Sequence, residues 1–419
     1  MQILSYVNFL LVVIFSVLTC HKIFYILVRY FKREKKYAAL KLNRFAVVIA
    51  ARNEAEVIGY LIESIHHQDY PADLVDIFVV ADNCTDNTAE IARQKGAFVY
   101  ERFNKELVGK GYALSLIFDK IKTEHANTHY DGYFVFDADN LLDSHYITEM
   151  NKVFSNGYKA VTSYRNTKNF TDSWVSASYG LWFLMESEYL NYPKSEMGIS
   201  CAISGTGFLF SDELLERNGG WHYHLMTEDL QFTADLICNG DKIGYSRKAI
   251  IYDEQPLTFS QSITQRSRWM KGSIQVMSQY GLKLIKALLK YGSFSSYDML
   301  MGVIPSIVLS AIAIIMNVAM FFVALRGTPA EGQMYLESVL TMLINSYIAV
   351  YFLGFTTLVT EWKQIKGKAY KKILYSFAFP AFVIGFGISV VKALFSNVEW
   401  KPIKHTAAIS ISEINSREK

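Results

Sequence analysis

"VDIFVVADNCTDNTAEIARQKGAFVY", residues 75–100, decides the fold. Its first eight residues form an almost unbroken apolar run that stops at Asp82. "NCTDNTAEIARQKG" then reads as a capped helix closed by Gly96, and "AFVY" as another strand. A helix between two strands is the crossover of a parallel pair, since an antiparallel pair needs only a tight turn. The alternation continues on both sides. "FAVVIAAR" (45–52) is a strand, and in "NEAEVIGYLIESIHHQ" (53–68) Val57, Leu61, Ile62 and Ile65 recur at helical spacing. Beyond residue 100, a helix beginning near "GKGYALSLIFDK" (109–120) leads into the strand "YFVFDAD" (133–139). The expectation is an α/β domain with a parallel sheet covered on both faces.

In open sheets of this kind ligands lie beyond the carboxyl ends of the strands. Three strand ends here are polar: Arg52-Asn53-Glu54, Asp82-Asn83 and Asp137/Asp139. Alternate strand residues share a face, so Asp137 and Asp139 are expected to point the same way. Two such like charges repel unless a cation lies between them. From the residues alone, a metal site and an acidic turn leading into the next helix both remain open. No GxGxxG or GxxxxGK[ST] pattern occurs, so neither dinucleotide nor P-loop binding is supported.

Three later stretches carry further chemistry. "ISGTGFLF" (203–210) is a glycine-bearing turn, with Gly205 suited to close backbone approach by a ligand. "MTEDLQF" (226–232) sets Glu228 and Asp229 before a helical apolar run, where Thr227 as a helix cap is the simpler explanation. In "TQRSRWMKG" (264–272), helical spacing puts Gln265 on one face with Arg268 and Trp269. An amide, a cation and an indole then meet one ligand, while nearby Lys271, Lys283, Lys286 and Lys290 suit a basic helix on a membrane surface. His222 and His224, two apart in an aromatic loop, do not have metal-ligand spacing.

The 419 residues are 51% hydrophobic with a net charge of +3, and no nucleic-acid partner is expected. The four cysteines are scattered, without CxxC or Cys/His metal spacing, as in a reducing compartment. Residues 1–20, Met299–Leu325 and Ser338–Thr360 carry no charge, and each is long enough to cross a bilayer. Lys and Arg crowd 29–44 and 363–372, whereas "RGTPAEGQMYLE" between the last two runs has one basic residue. The positive-inside rule places 43–295 in the cytoplasm of a multi-pass cell-membrane protein. Residues 373–391, interrupted by Pro380 and basic at both ends, fit an interfacial or re-entrant segment better than a crossing. The expected layout is an N-terminal transmembrane helix (1–30), a cytosolic domain (43–258), amphipathic interfacial helices (259–295), a membrane region (299–396) and a cytosolic tail (397–419).

Taken together and in this order, "VVIAARNE", "VVADNCTD", "GKGYAL", "FDAD", "TED" and "QRSRW" resemble the membrane-embedded processive family 2 glycosyltransferases, the cellulose, chitin, hyaluronan and poly-N-acetylglucosamine synthases. The resemblance covers nearly the whole chain. It implies a GT-A fold and inverting transfer from a UDP-sugar to a growing polysaccharide; the alternatives are a single transfer to a lipid carrier and, in another class, an inactive sugar-binding scaffold or transporter. Asp137 and Asp139 would hold Mg²⁺ or Mn²⁺ on the diphosphate. Arg52, Glu54, Asp82 and Lys110 would bind the UDP-sugar. In the catalytic motif of Glu228 and Asp229, Asp229 would be the general base. Gly205, Gln265, Arg268 and Trp269 would serve the acceptor and the diphosphate, Trp269 by stacking and Arg268 by charge. "VEWKPIKHT" (398–406) looks like a variant gating motif through Trp400 and either Lys404 or His405. Where many members have paired acids after the second strand, this chain has Ala81-Asp82. Three spans are few for a polymer channel, so interfacial helices, a second copy or an export partner would complete it.

Overall fold

The structure is a computed structural model that describes residues 2–399 and 405–416. Its strands are β1 (Phe45–Ala51), β2 (Val75–Asp82), β3 (Phe98–Arg102), β4 (Gly132–Asp137), β5 (Leu141–Leu142), β6 (Ala160–Thr167), β7 (Phe208–Ser211) and β8 (Ile243–Asp253). They form one sheet in the order β3-β2-β1-β4-β7-β6-β8-β5. The first four strands in that order are parallel, as expected. β7 then runs antiparallel between β4 and β6, and β8 lies parallel to β6.

In the parallel half, β1 and β4 and residues 77–81 of β2 are covered on both faces, which is why they are apolar. Phe45, Val47 and Ile49 pack with Leu61, Ile62, Phe134 and Phe136 on one side. Ala46 and Val48 pack with Phe78, Val80, Leu114 and Phe118 on the other. The register pairs Ala51 with Ala81 and Ala50 with Asp137, so β1, β2 and β4 end level with one another. That alignment brings the three polar strand ends to one edge.

Several local expectations are corrected. β4 stops at Asp137, and Asp139 lies in the turn that follows, so the two carboxylates are not on one strand face. The first helix spans Ile58–His66 rather than starting at Asn53, whose positive φ of 57° turns the chain at the end of β1. The next, Thr88–Gln94, is capped from Asp86, whose carboxylate accepts the Thr88 N–H at 3.1 Å. Thr227 makes no capping bond to the helix Glu228–Cys238 that follows it. Residues 259–291 form one continuous helix instead of several interfacial pieces. It starts at a Thr258/Gln261 capping box and ends on Gly292 in the left-handed region.

Two helices, Phe294–Arg326 and Pro329–Thr360, are long and apolar enough to cross a membrane. The expected N-terminal helix is a bent pair, Tyr6–Thr19 and His21–Phe31, meeting at 49°. The bend falls where His21 and Tyr25 turn inward to hydrogen-bond Asp298. A second bent pair, Ala369–Ser376 and Phe379–Phe395, meets at 46° within the segment expected to be interfacial or re-entrant.

The helix Lys110–Glu124 sits so close to the 221–224 segment that a Cβ on Gly111 would overlap the Tyr223 carbonyl oxygen. Overpacking of this kind costs about 1–3 kcal/mol. Gly111→Ala is therefore expected to lower the thermal midpoint in detergent by several degrees. An unchanged midpoint in differential scanning fluorimetry would contradict this packing.

Candidate active site

Beyond the level ends of β1, β2 and β4 lies a cavity of about 470 Å³. Arg52, Glu54, Asp82, Lys110, Asp137 and Asp139 line it from the parallel half of the sheet. Gly205, Glu228, Asp229, Gln265, Arg268, Trp269 and His405 line it from the remainder of the chain. Every site residue singled out from sequence therefore borders this one space, apart from Trp400 and Lys404, which lie outside the described residues.

Lys110 is the central cation. Its Nζ donates to Asp137 Oδ1 at 2.5 Å and to the Gly205 carbonyl at 2.8 Å, and lies 3.9 Å from Glu228 Oε1. Burial works against its charge, yet Asp137 and Glu228 outweigh that and hold the ammonium above its ordinary range. Gly205, at φ 78°, in turn donates its N–H to Asp229 Oδ2 at 2.6 Å. Burial pushes both Glu228 and Asp229 upward, while Lys110 draws each back. Asp82 is buried and paired with Arg102 of β3 at 2.5 Å.

Asp139 is 5% exposed, and its Oδ2 accepts the Glu254 N–H at 2.8 Å. Burial opposes ionisation there, but the charges of His405 and Lys168 keep its carboxyl below the usual range. Among the described residues no cluster of three or more His, Cys, Asp or Glu side chains is arranged to enclose a metal. The residues still fit a Mg²⁺ or Mn²⁺ shared with a ligand. Asp137 and Asp139 are hard oxygen donors at the rim of one cavity, and such ions complete their shells with phosphate oxygens and water.

The helix Phe259–Tyr291 divides its "QRSRW" stretch between two faces. Gln265, Arg268 and Trp269 border the cavity. Trp269 is held edge-on by Tyr179 at 5.8 Å and Phe183 at 6.2 Å between ring centres. Arg266, fully buried, points away, donating to the Phe382 carbonyl and lying 4.3 Å from the Phe382 ring centre.

Sequence reasoning missed Arg165, Glu186, Asp253 and Glu254, all of which line the cavity. Arg165 on β6 pairs with Asp253 on β8 through its Nε at 2.8 Å and stacks 3.6 Å from the Phe183 ring centre. Burial pushes the Asp253 carboxyl up to about 6 despite that cation. Glu186 begins the π-helical stretch Glu186–Asn191, a widening that often marks functional positions. His405 Nδ1 meets Glu54 at 2.9 Å, and the Thr406 and Ala407 N–H groups both bond Glu254 at 2.9 Å. The tail thus straps one side of the cavity. His224 is accounted for by Ser115, 2.8 Å from its Nε2, and by stacking on Tyr112.

A family model described as "Glycosyltransferase like family 2" matches residues 43–272. Among curated proteins, a β-monoglucosyldiacylglycerol synthase of Nostoc is 25% identical over 281 residues, covering 64% of this chain and 57% of its own length. A poly-β-1,6-N-acetyl-D-glucosamine synthase of Staphylococcus aureus is 25% identical over 261 residues, covering 59% and 61%. The chain thus spans little more than half the length of these relatives. Among solved structures, a mannosyltransferase of Pyrobaculum calidifontis with GDP-Man and Mn²⁺ aligns at a TM-score of 0.60 and 16% identity, covering 94% of this chain and 99% of that one. That likeness shows the fold, which is GT-A.

Glu54 provides a pH test. Burial pushes its carboxyl up to about 7 from 4.5, against the pull of His405. A raised folded-state value gives stability that is present below pH 4.5 and is lost as pH rises through 7. Raising the pH from about 5 to about 8 should therefore stabilise Glu54→Gln relative to wild type. Parallel melting-versus-pH curves for the two proteins would refute this.

Proposed function

Because the chain belongs to glycosyltransferase-like family 2, we propose that it is a hexosyltransferase that moves sugar from UDP-glucose or UDP-N-acetylglucosamine to a growing β-linked polysaccharide, with inversion at the anomeric carbon. One observation carries this: the strand-end acids, the Glu228/Asp229 pair and the Gln265/Arg268/Trp269 face line a single cavity. The catalytic domain is assigned to the cytoplasmic side of the cell membrane, with the apolar helices anchoring it. The basic stretches at 29–44 and 363–372 support that orientation. Export would need an enclosed path, which interfacial helices, a second copy or a partner would complete.

Asp229 accepts the proton of the acceptor hydroxyl as that oxygen attacks the anomeric carbon. Its Oδ2 is fixed by the Gly205 N–H, which orients the carboxylate. The bond between the anomeric carbon and the diphosphate breaks, and UDP leaves with the released electron pair. Asp137 and Asp139 would hold a Mg²⁺ or Mn²⁺ that, when bound, offsets the negative charge gathering on the leaving group. Lys110 and Arg268 supply fixed positive charge to the same end. Arg52, Glu54 and Asp82 would border the nucleoside. The Trp269 plane, set by Tyr179 and Phe183, presents a stacking surface to the terminal sugar of the acceptor.

A second reading, single transfer to a lipid carrier, is favoured by one feature. Gly302 and Val303 of the apolar helix Phe294–Arg326 also line the cavity, beside Phe386. The site therefore reaches apolar helices through which a lipid-borne hydroxyl would arrive.

Purified protein incubated with single UDP-sugars and Mg²⁺ or Mn²⁺ should release UDP and yield a product ladder on sizing. UDP release with only a one-sugar lipid adduct would reject the polymer and favour the second reading. Full transfer after thorough chelation, or in the Asp137→Ala/Asp139→Ala double variant, would overturn the metal assignment. Asp229→Asn should bind UDP as wild type does while losing turnover by about a thousandfold, within the range for removing a general base. Undiminished turnover would remove Asp229 from that role.

A further inference from the structure

A second cavity, of about 180 Å³, shares no lining residue with the first. It lies between the segment after the helix His21–Phe31, the helix Tyr146–Phe154, the helix Tyr192–Met197 and β8. Basic side chains outnumber acidic ones around it, with Lys35, Lys36, Lys152, Arg247 and Lys248 set against Glu34, Glu149 and Glu196. Lys152 is paired with Glu149 and Arg247 with Glu34, which leaves Lys36 and Lys248 to supply the excess. Arg247 is held by Glu188 at 2.6 Å and lies 4.4 Å from the Tyr192 ring centre. A cavity with this excess of cations suits an anion.

Glu196 adds a second requirement. The residue is 4% exposed, and its Oε1 accepts the Lys35 N–H at 3.1 Å. Its Oε2 is buried and has no hydrogen-bond partner among the described residues. A buried carboxylate oxygen left unmet costs free energy, so the cavity calls for a donor as well as an anion. A phosphate followed by an ammonium or hydroxyl group supplies both.

The source of such a group is suggested by what precedes the cavity. The helix His21–Phe31 leaves Phe24, Leu27 and Phe31 exposed, Phe31 to 83%. An apolar face of that kind belongs against lipid rather than water. Lys36 follows five residues after Phe31, so the cavity lies next to the chain's exit from the lipid-facing helix. We propose that this cavity binds the headgroup of a membrane phospholipid, with the phosphate on Lys36 and Lys248 and a terminal ammonium or hydroxyl donating to Glu196 Oε2. Phosphatidylethanolamine and phosphatidylglycerol meet both requirements, whereas the choline headgroup lacks a donor. Through Arg247 and Glu188, the bound headgroup would be one ion pair from the π-helical stretch that begins at Glu186 in the catalytic cavity.

The test is native mass spectrometry of the full chain in detergent. It is offered phosphatidylethanolamine, phosphatidylglycerol or phosphatidylcholine in separate arms, and inorganic phosphate in a fourth. Wild type should retain one molecule of either donor-bearing lipid about tenfold more strongly than phosphatidylcholine, the value of one charge-assisted hydrogen bond. Lys36→Ala with Lys248→Ala, both exposed and so tolerated by the fold, should weaken retention of all three lipids. Glu196→Gln should erase the preference over phosphatidylcholine while leaving phospholipid retention itself. Equal retention by wild type and the double variant would overturn the proposal. So would binding of inorganic phosphate in place of lipid, or a headgroup preference that survives Glu196→Gln.

Discussion

One partly buried ammonium joins the two halves of the site. Lys110 reaches Asp137 at the end of β4, the Gly205 carbonyl in the loop before β7, and the edge of Glu228. Gly205 passes the connection on to Asp229 through its N–H. The Asp137 side chain stays 37% exposed, so the pair is partly solvated, and Lys110 acts by offsetting the repulsion among the acids around it. The acids from β4 and from the helix Glu228–Cys238 thus share one cavity with this cation between them. In the proposed transfer, a diphosphate entering beside Lys110 adds negative charge to an already acidic space. That is the electrostatic reason a divalent ion suits Asp137 and Asp139.

The parallel half of the sheet was legible because its physics is local. A strand covered on both faces must be apolar along its length, and a strand that ends at a ligand site must change character abruptly. Both signals are plain in "VDIFVVADN" and "FVFDADN". The face made by Gln265, Arg268 and Trp269 followed from helical spacing alone. Arg165, Asp253 and Glu254 were not legible, since they meet only after β8 pairs with β6, with its register shifting between Ser163 and Tyr164. No local pattern announces a pairing between segments so far apart in sequence. The Asp137/Asp139 geometry was misjudged for a related reason. Strand alternation applies only while the strand continues, and the chain turns at Ala138.

"QRSRW" shows how one helix serves two surfaces. Arg268 borders the cavity, whereas Arg266, two residues earlier, turns about 200° around the axis and is buried against Phe382 and Phe386. Its guanidinium donates to the Phe382 carbonyl, close to where the bent pair ending in Phe379–Phe395 packs on the domain. Trp182 stacks on Phe386 nearby, at 5.2 Å between ring centres. Phe386 itself lines the cavity. The helix that presents Arg268 and Trp269 to the cavity is thus locked, through Arg266, to the apolar segment beside it.

In the proposed transfer, this coupling bears on how an acceptor would reach Asp229. The cavity lining combines charged groups, among them Asp137, Lys110 and Glu228, with the apolar side chains Trp182, Phe183, Trp269, Val303 and Phe386. A sugar ring has polar edges and a less polar face, so a lining that holds both kinds of group, with Trp269 next to Arg268, suits it. A polymer end and a lipid-borne hydroxyl both satisfy that division, the first by stacking its last ring and the second by leaving its apolar part among the helices. What separates them is the space left after one transfer. A polymer must advance past Trp269 by one sugar per cycle, so the aromatic wall fixed by Arg266, Tyr179 and Phe183 would have to form a track as well as a stop.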